Sequence, residues 1–255
     1  MLSIKVLVIG KNSLLSNCFK RYTKIKKIKF ISYKEVKKEK LKNFTHIINF
    51  SLDPMNFIKE YESTHKLDKK ICNLIKNEDC IYIMPSSRLV YSKSRKNFYG
   101  KNKKKIEKDI VKFQKKYLIL RIGTILTFDL SYRNLFISRV LKSLKKDGLV
   151  TLDISKYTYK DFITSNLFVE ILDSLIQKNA TGIYNLSTNI PISVDEILKN
   201  IIKGFGRGKI IYKKIIKKKY SFLLNNNKLK KEIKFKMSKK YILDYCINLG
   251  KQLSA

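Results

Sequence analysis

Short apolar runs alternate with lysine-rich stretches of helical periodicity through the first half of the chain. The apolar runs predict buried β-strands over residues 4–9, 28–32, 46–51, 80–84 and 117–122. The periodic stretches predict helices over residues 14–22, 34–43, 65–77 and 99–115. Because strands that alternate with helices form parallel sheets with right-handed crossovers, the pattern predicts an α/β fold.

The regular alternation of predicted strands and helices ends near residue 129. Helices are predicted over 132–146 and 164–178, strands over 149–152 and 182–186, and a loop from 204 leads into a strand and a basic run. A further helix begins near Ser193, because Ser193 and Glu196 have the spacing of a capping box. We therefore expect two domains, 1–128 and 129–255, with the chain crossing between them.

The first predicted strand ends at the place where a dinucleotide-binding fold has its glycine-rich loop. Only the first glycine of that loop is present, and serine stands at the other two places. Serine is small enough for a phosphate to approach the start of the helix, although a strand followed by glycine is also typical of an ordinary turn. The candidate contacts to a dinucleotide in this turn are Gly10, Asn12, Ser13, Leu14, Leu15 and Ser16.

A tyrosine and a lysine open the helix predicted over 99–115. Their spacing of four places Tyr99 and Lys103 on one helix face, where the ammonium group favours the phenolate and suits Tyr99 to general acid/base work. In a chain with 15 tyrosines this spacing also arises by chance. Ser87 supports the interpretation of Tyr99 and Lys103 as catalytic residues. It closely follows strand 80–84, at the sheet edge where open α/β folds bind their substrates.

Several short segments occur in a characteristic order along nearly the whole chain. They are Pro85-Ser86-Ser87-Arg88-Leu89-Val90-Tyr91, Tyr99-Gly100-Lys101-Asn102-Lys103 followed by Glu107, Leu120-Arg121-Ile122-Gly123-Thr124, Lys160-Asp161-Phe162-Ile163 and Gly182-Ile183-Tyr184-Asn185-Leu186. In this order they resemble the extended short-chain dehydrogenase/reductase family, in its NAD-dependent epimerase/dehydratase group. The resemblance implies a Rossmann-like doubly wound parallel sheet with a smaller C-terminal α/β lobe that binds the substrate.

The resemblance also implies an activity, namely that of an NAD(P)-dependent epimerase or keto-sugar reductase acting on a nucleotide-diphosphate sugar for surface polysaccharide such as capsule or O-antigen. Tyr99 would exchange a proton with a sugar oxygen, Ser87 would hydrogen-bond that oxygen, and Lys103 would hold the nicotinamide ribose. Arg88 follows Ser87 where dehydratases of the family carry an acidic pair, which argues against dehydration. The candidate substrate contacts are Ser87, Arg88, Thr124, Arg133, Arg139 and Arg207, the last three because guanidinium matches phosphate geometry, although an arginine with no ligand is also commonly exposed. Family members commonly form homodimers, one helix of the interface being the Tyr99 helix.

The chain departs from the family pattern on the cofactor side. The second strand ends at residues 32–34 without the acidic residue that binds a ribose 2′-hydroxyl, and Lys34 could meet a 2′-phosphate, so NADP is slightly favoured over NAD. Asn49 and Ser51, two further candidate cofactor contacts, flank the bulky Phe50 where the family has a turn of small residues.

The formal net charge of +36 comes from 56 basic and 20 acidic residues. Lysines spread along the whole chain, with only seven arginines, favour a biased composition and a solvated surface over a nucleic-acid partner. The alternative left open is a catalytically silent protein of the same fold that binds dinucleotide or RNA. Two histidines support no metal site, and the N-terminal apolar run is too short for a membrane span, so a cytoplasmic protein is expected.

Overall fold

The computed structural model describes residues 3–92, 97–131, 135–213 and 220–254. Its central sheet has six strands, which are β1 (Val6–Ile9), β2 (Ile28–Ile31), β3 (His46–Asn49), β4 (Ile81–Ser87), β5 (Tyr117–Ile122) and β9 (Gly182–Leu186). Their order is β2-β1-β3-β4-β5-β9, and every neighbouring pair is parallel. The predicted α/β fold with a parallel sheet is thus confirmed. The strand order reverses between β1 and β3, the kind of switch point at which open α/β sheets bind ligands.

Helices accompany this sheet. They are α1 (Leu14–Tyr22), α2 (Lys38–Leu41), α3 (Leu67–Leu74), α4 (Phe98–Phe113), α6 (Ser165–Gln177) and α8 (Asn227–Glu232). Apolar side chains of α3 and α4, such as Ile71 and Ile110, share a core with strand residues Ile47 and Ile119. Helix formation over 34–43 is weaker than predicted, because only Val36 and Leu41 are buried there, too few for an apolar stripe.

Strand β4 is longer than predicted and this extension matters for the site. Its last three residues, Pro85 to Ser87, pair with Leu120 to Ile122 of β5. Pairing with β3 stops at Ile83, so this stretch of β4 is an edge on that side, a position that tolerates proline. The extension places Ser87 at the carboxyl end of the strand.

A second group of elements is built from different parts of the chain. Its strands are β6 (Thr124–Leu126), β7 (Leu149–Leu152), β8 (Thr158–Thr164), β10 (Pro191–Ser193), β11 (Lys209–Tyr212) and β12 (Tyr220–Phe222), and its helices are α5 (Phe136–Asp147), α7 (Val194–Phe205) and α9 (Lys239–Ser254). The capping box predicted at Ser193 and Glu196 is present at the start of α7. Helices α7 and α9 pack very closely, since a Cβ on Gly204 would lie 1.9 Å from the Ile247 carbonyl oxygen and one on Gly250 would lie 2.0 Å from that of Ile201. Strands β6, β8, β10 and β12 and helices α8 and α9 are not among the predicted elements.

Contacts divide the chain into two compact units. The first comprises Met1–Ile122, Val169–Leu186 and Asn227–Ile233, and the second comprises Gly123–Phe168, Ser187–Asn226 and Lys234–Ala255. The contact boundary thus falls after Ile122, where the sequence pattern places it after residue 128, and two later segments group with the first unit. Among the described residues, no helix has both the length and the apolar character needed to cross a membrane.

Candidate active site

The turn between β1 and α1 brings two strand ends into close contact. Gly10 has a φ of +91°, and a Cβ at this position would lie 2.6 Å from the backbone nitrogen of Ser51. A side chain is therefore excluded both by the backbone conformation and by the approach of the β3 exit. The one glycine that the turn keeps is the one that this packing requires.

The two serines that replace glycines in this turn bind each other and the backbone. Ser13 is the N-cap of α1, and its Oγ accepts a hydrogen bond from the Ser16 backbone N–H at 3.1 Å. The buried Ser16 hydroxyl donates to the Gly10 carbonyl oxygen at 2.8 Å. An amide that a glycine loop would leave for a phosphate is thus satisfied by a side chain of the turn itself. Of the other predicted contacts in the turn, Asn12 is exposed, and Leu14 and Leu15 are half-buried.

At the carboxyl end of β3, the predicted contact residues belong to a polar cluster that includes an unpredicted carboxylate. Asn49 Nδ2 donates to Asp68 Oδ1 at 2.9 Å, and the Tyr82 hydroxyl donates to the same oxygen at 2.7 Å. Asn49 Oδ1 in turn accepts the Ser51 N–H at 3.1 Å. Burial raises the pKa of Tyr82 well above its ordinary value, so its hydroxyl stays a donor. The position of Asp68 on the apolar face of α3, three residues before Ile71, is the signal that sequence reasoning could have used.

An acidic residue lies at the end of β2 although none is predicted there. Glu35 reaches back and its Oε2 accepts the Ser32 N–H at 2.5 Å, completing a capping box. The same oxygen lies 3.9 Å from Lys11 Nζ, while Lys34 is exposed. The Ser-x-x-Glu spacing, which marks the start of α7, would have identified this carboxylate from the sequence.

Lys103 is held deeply at the carboxyl end of β4. Although it is a lysine it is 5% exposed, and its Nζ donates to the Pro85 carbonyl oxygen at 2.9 Å. The same Nζ lies 5.9 Å from the centroid of the Tyr99 ring, one helical turn away on α4. A buried ammonium group is retained only where it has partners, and here the partner is a backbone carbonyl two residues before Ser87.

Ser87 and the start of α4 are linked by the 3₁₀ turn Arg88–Tyr91. Ser87 Oγ accepts the Leu89 N–H at 3.2 Å, and the Leu89 carbonyl would lie only 2.2 Å from a Cβ on Gly100. Glycine after Tyr99 therefore lets the turn lie directly on the first turn of α4. The structure thus gathers Ser87, Tyr99 and Lys103 around the carboxyl end of one strand.

A hydrogen-bonded network beneath these residues was not predicted. The buried Glu107 on α4 accepts a forked pair of bonds from Arg121 on β5, Nε at 3.1 Å and Nη2 at 2.6 Å, and also accepts the Ser86 hydroxyl at 2.5 Å. Arg121 Nη1 donates to the Tyr91 hydroxyl at 2.6 Å, which donates to Asn185 Oδ1 at 3.0 Å. Hydrogen bonding to Glu107 raises the pKa of Arg121, so the guanidinium stays charged. Four of the five resemblance segments contribute a member to this network.

The remaining predicted substrate contacts come from several different elements. Arg88 is half-buried in the 3₁₀ turn, Thr124 is half-buried at the start of β6, and Arg139 is exposed on α5. Arg133 lies outside the described residues.

Arg207 lies near the carboxyl ends of three helices. Its guanidinium lies 5.2 Å from the centroid of the Phe205 ring, in a cleft of about 410 Å³ that Lys145, Leu253 and Ser254 also line. These residues mark the carboxyl ends of α5, α7 and α9, whose terminal carbonyls carry negative partial charge. The positive charges of Arg207 and Lys145 offset this partial charge.

No family model and no curated protein matches the sequence. Solved structures do match. UDP-N-acetylglucosamine 4-epimerase from Methanobrevibacter ruminantium M1, in complex with UDP-N-acetylmuramic acid, has a TM-score of 0.80 at 12% identity over 99% of both chains.

Two further matches come from other reaction types. The dTDP-4-dehydrorhamnose reductase of Bacillus anthracis str. Ames, in complex with NADP, has a TM-score of 0.77 at 14% identity, over 97% of this chain and 99% of that one. TunA, an NAD-dependent NDP-hexosamine 5,6-dehydratase involved in tunicamycin biosynthesis, has a TM-score of 0.79 at 11% identity, over 98% of this chain and 97% of that one. The resemblance drawn from the sequence is confirmed at the level of the fold: this chain has the Rossmann-like fold of the nicotinamide-dependent sugar-nucleotide epimerases, dehydratases and reductases.

Proposed function

We propose that this chain is an NAD(P)-dependent enzyme acting on a nucleotide-diphosphate sugar, as an epimerase or a keto-sugar reductase in the making of surface polysaccharide. The observation that carries the proposal is the buried Lys103, anchored to the Pro85 carbonyl at 2.9 Å with the Tyr99 ring beside it. A lysine is costly to bury, and this one lies at the ligand edge of the sheet, next to a tyrosine that can exchange protons.

Each residue of this group has a role that follows from its position. Tyr99 Oη gives a proton to a sugar oxygen or takes one from it. Ser87 Oγ hydrogen-bonds that same oxygen, and Lys103 Nζ places a positive charge beside the Tyr99 ring and would hold the nicotinamide ribose. Both Ser87 and the carbonyl partner of Lys103 belong to β4, so one rigid strand sets their separation.

The β1–α1 turn fits a nicotinamide dinucleotide with one departure. Its position at the switch point, the backbone conformation of Gly10 and the start of α1 are what a pyrophosphate needs, while the Ser13 cap on the Ser16 amide competes with it. The residues that would hold the cofactor are those of this turn together with Asn49, Ser51 and Lys103. The cofactor supplies hydride transfer to and from a sugar carbon.

For the choice of dinucleotide, charges at the end of β2 favour NADP slightly. The ammonium groups of Lys11 and Lys34 would attract a 2′-phosphate, and the carboxylate of Glu35 would repel it. That carboxylate already accepts the Ser32 amide and lies near Lys11, which lowers its effect on a ligand.

One observation supports epimerisation or reduction rather than dehydration. Elimination of water needs additional acid/base groups beside the reacting carbon, and no acidic residue follows Ser87 in the turn Arg88–Tyr91. Ser87 and Tyr99 are sufficient for proton exchange at a single sugar oxygen. Arg88, Thr124, Arg133, Arg139 and Arg207 remain the proposed candidates for contacts to the substrate.

The test is a titration with NADH and NADPH followed by nicotinamide fluorescence, then turnover assays with a panel of UDP- and dTDP-sugars and 4-keto sugars. Replacing Tyr99 with Phe is expected to abolish turnover and to leave the dissociation constant of the dinucleotide within about twofold, since only the hydroxyl is removed. Failure of both dinucleotides to bind at millimolar concentration would overturn the proposal, as would full activity in the Tyr99→Phe variant.

A further inference from the structure

The ring of Tyr99 stacks on a second aromatic ring. The centroids of Tyr99 and Phe57 are 4.5 Å apart and the ring planes differ by 7°. Phe57 ends the 3₁₀ turn Pro54–Phe57, in the connection between β3 and α3. The two rings thus come from segments more than forty residues apart in the sequence.

Helix α4 itself holds the segment that carries Phe57. Asn102, which is 2% exposed, donates from Nδ2 to the carbonyl oxygens of Asn56 at 3.2 Å and Lys59 at 2.7 Å. These two carbonyls flank Phe57 on either side. Since Asn102 lies three residues after Tyr99, one face of one helix carries both the tyrosine and the clamp for its stacking partner.

The turn is also fixed from its other end. Asp53 caps it, accepting the Met55 N–H at 2.9 Å with Oδ1 and the His65 N–H at 3.0 Å with Oδ2. Phe57 therefore projects from a short segment anchored at both ends, and the residue is still 39% exposed.

We propose that Phe57 is a positioning residue for Tyr99 and that Asn102 holds Phe57 in place; the consequence for catalysis rests on the acid/base role proposed for Tyr99. A half-buried tyrosine on the first turn of a helix has several side-chain rotamers open to it. The Lys103 ammonium group lies 5.9 Å from the ring centroid but does not fix the ring plane. A parallel ring at 4.5 Å does fix it, and the hydroxyl then keeps one direction relative to Ser87.

The first experiment detects the stack in solution without any need for activity. Ring-labelled ¹³C-tyrosine gives an NMR signal for each tyrosine, and the Tyr99→Phe variant identifies the signal of Tyr99. Phe57→Leu and Phe57→Ala are expected to shift this signal because the ring current of Phe57 is removed. The matched control is Ile58→Ala, an exposed neighbouring residue, which should leave the signal in place. Asn102→Ala should move the Tyr99 signal in the same direction as Phe57→Leu, and Phe57→Leu carries the test if loss of the clamp destabilises the chain.

The second experiment measures the consequence for turnover. Phe57→Leu and Phe57→Ala are expected to lower kcat about tenfold, as small misplacements of reacting groups do, while KM for the sugar nucleotide stays within about twofold. Phe57→Tyr keeps an aromatic ring and should restore kcat.

Two results would overturn the inference. One is a Tyr99 signal that is the same in the wild type and Phe57→Leu, and the other is an unchanged kcat in Phe57→Ala. If the wild-type chain itself binds no dinucleotide and turns over no sugar nucleotide, the proposed function fails, and the NMR comparison still decides whether Phe57 orients Tyr99.

Discussion

One hydroxyl group at Ser13 decides how the β1–α1 turn uses its amides. Ser13 Oγ accepts the hydrogen bond of the Ser16 N–H, and the Ser16 hydroxyl in turn donates to the Gly10 carbonyl oxygen. A helix start that is capped from within keeps its stability but has one donor fewer to offer to an anion. Both the gain in helix stability and the loss of an amide donor come from the Ser13 side chain, so a single substitution tests them.

Replacing Ser13 with Gly is expected to tighten dinucleotide binding several-fold. The Ser16 amide becomes available to a phosphate, while the loss of the cap costs only a few tenths of a kcal/mol of stability, the usual cost of Ser→Gly at an N-cap. Fluorescence titration gives the affinity and urea unfolding gives the stability. Weaker binding in Ser13→Gly than in the wild type would show that the Ser13 hydroxyl itself contacts the ligand.

His46 is a second residue whose effect can be isolated. It is buried at the start of β3, with Nδ1 at 2.9 Å from Thr45 Oγ1, and burial lowers its pKa from 6.5 to about 4. Between these two values the unfolded chain binds more protons at this site than the folded chain does. Stability therefore rises with pH across this window and falls as the solution is acidified.

The contribution of His46 to the free energy of unfolding should fall by about 3 kcal/mol between pH 7 and pH 4. Urea unfolding at a series of pH values measures it. His46→Phe should flatten this part of the pH dependence, and His65→Gln, a change at the exposed histidine, should not. Equal slopes in the wild type and His46→Phe would contradict the assignment.

At the scale of elements, the Glu107–Arg121 pair ties α4 to β5 just below the candidate site. The side chains are 5% and 20% exposed, so the pair is largely desolvated. Removing one partner of such a pair leaves a buried charge, whereas replacing both by apolar side chains avoids this cost.

Glu107→Gln is expected to lower the free energy of unfolding by about 2–4 kcal/mol, because Arg121 keeps its charge and loses its counter-ion. The double variant Glu107→Leu/Arg121→Met should lose less than the sum of its two single variants. Urea denaturation of the wild type, Glu107→Leu, Arg121→Met and the double variant measures the four free energies of unfolding that this comparison needs. Additive losses would mean that the two side chains do not act together.

Elements with a clear apolar run between turn signals could be predicted from the sequence. The bounds of α1, β5, β7 and β9 agree with the predictions for 14–22, 117–122, 149–152 and 182–186. Strand β8 could not, because its run Thr158–Thr164 mixes polar residues with a fully buried Asp161. That carboxylate accepts the amides of Thr188 and Leu224, partners supplied only by the tertiary fold.

In the candidate site too, some features could be predicted from local sequence and others depend on the tertiary fold. The order of strand, Ser87, Tyr99 and Lys103 is local and could be predicted, whereas the Phe57–Tyr99 stack joins residues far apart in the chain. Such a contact follows no spacing rule. The Glu35 carboxylate lies between these cases, since its capping-box spacing is visible in the sequence.

At the scale of the whole molecule, acidic and basic side chains occupy different places, as helix α4 shows. The acids of α4 point inward, Glu107 to Arg121 and Asp109 to the Tyr61 hydroxyl. Lysines at 101, 104, 105, 108 and 112 occupy its exposed positions, apart from the one held by Val111. Like charges spaced four apart on a helix repel one another, so this face works against folding.

Raising NaCl from 0.05 to 0.5 M should therefore stabilise the folded chain, by an amount on the order of 1 kcal/mol from screening of surface repulsion. Thermal unfolding followed by circular dichroism measures it. A variant in which Lys101, Lys104, Lys108 and Lys112 are replaced by Glu should gain less from salt. A melting temperature independent of salt in the wild type would contradict this account.

The first unit is assembled from three separate stretches of chain, and this has a consequence for synthesis on the ribosome. Strand β5 is complete at Ile122, but its outer neighbour β9 begins at Gly182. During the translation of the intervening residues, β5 is an open edge with unpaired backbone groups, a template for strands of other chains. The sheet is most vulnerable to aggregation in this interval, and slow translation there would lengthen it.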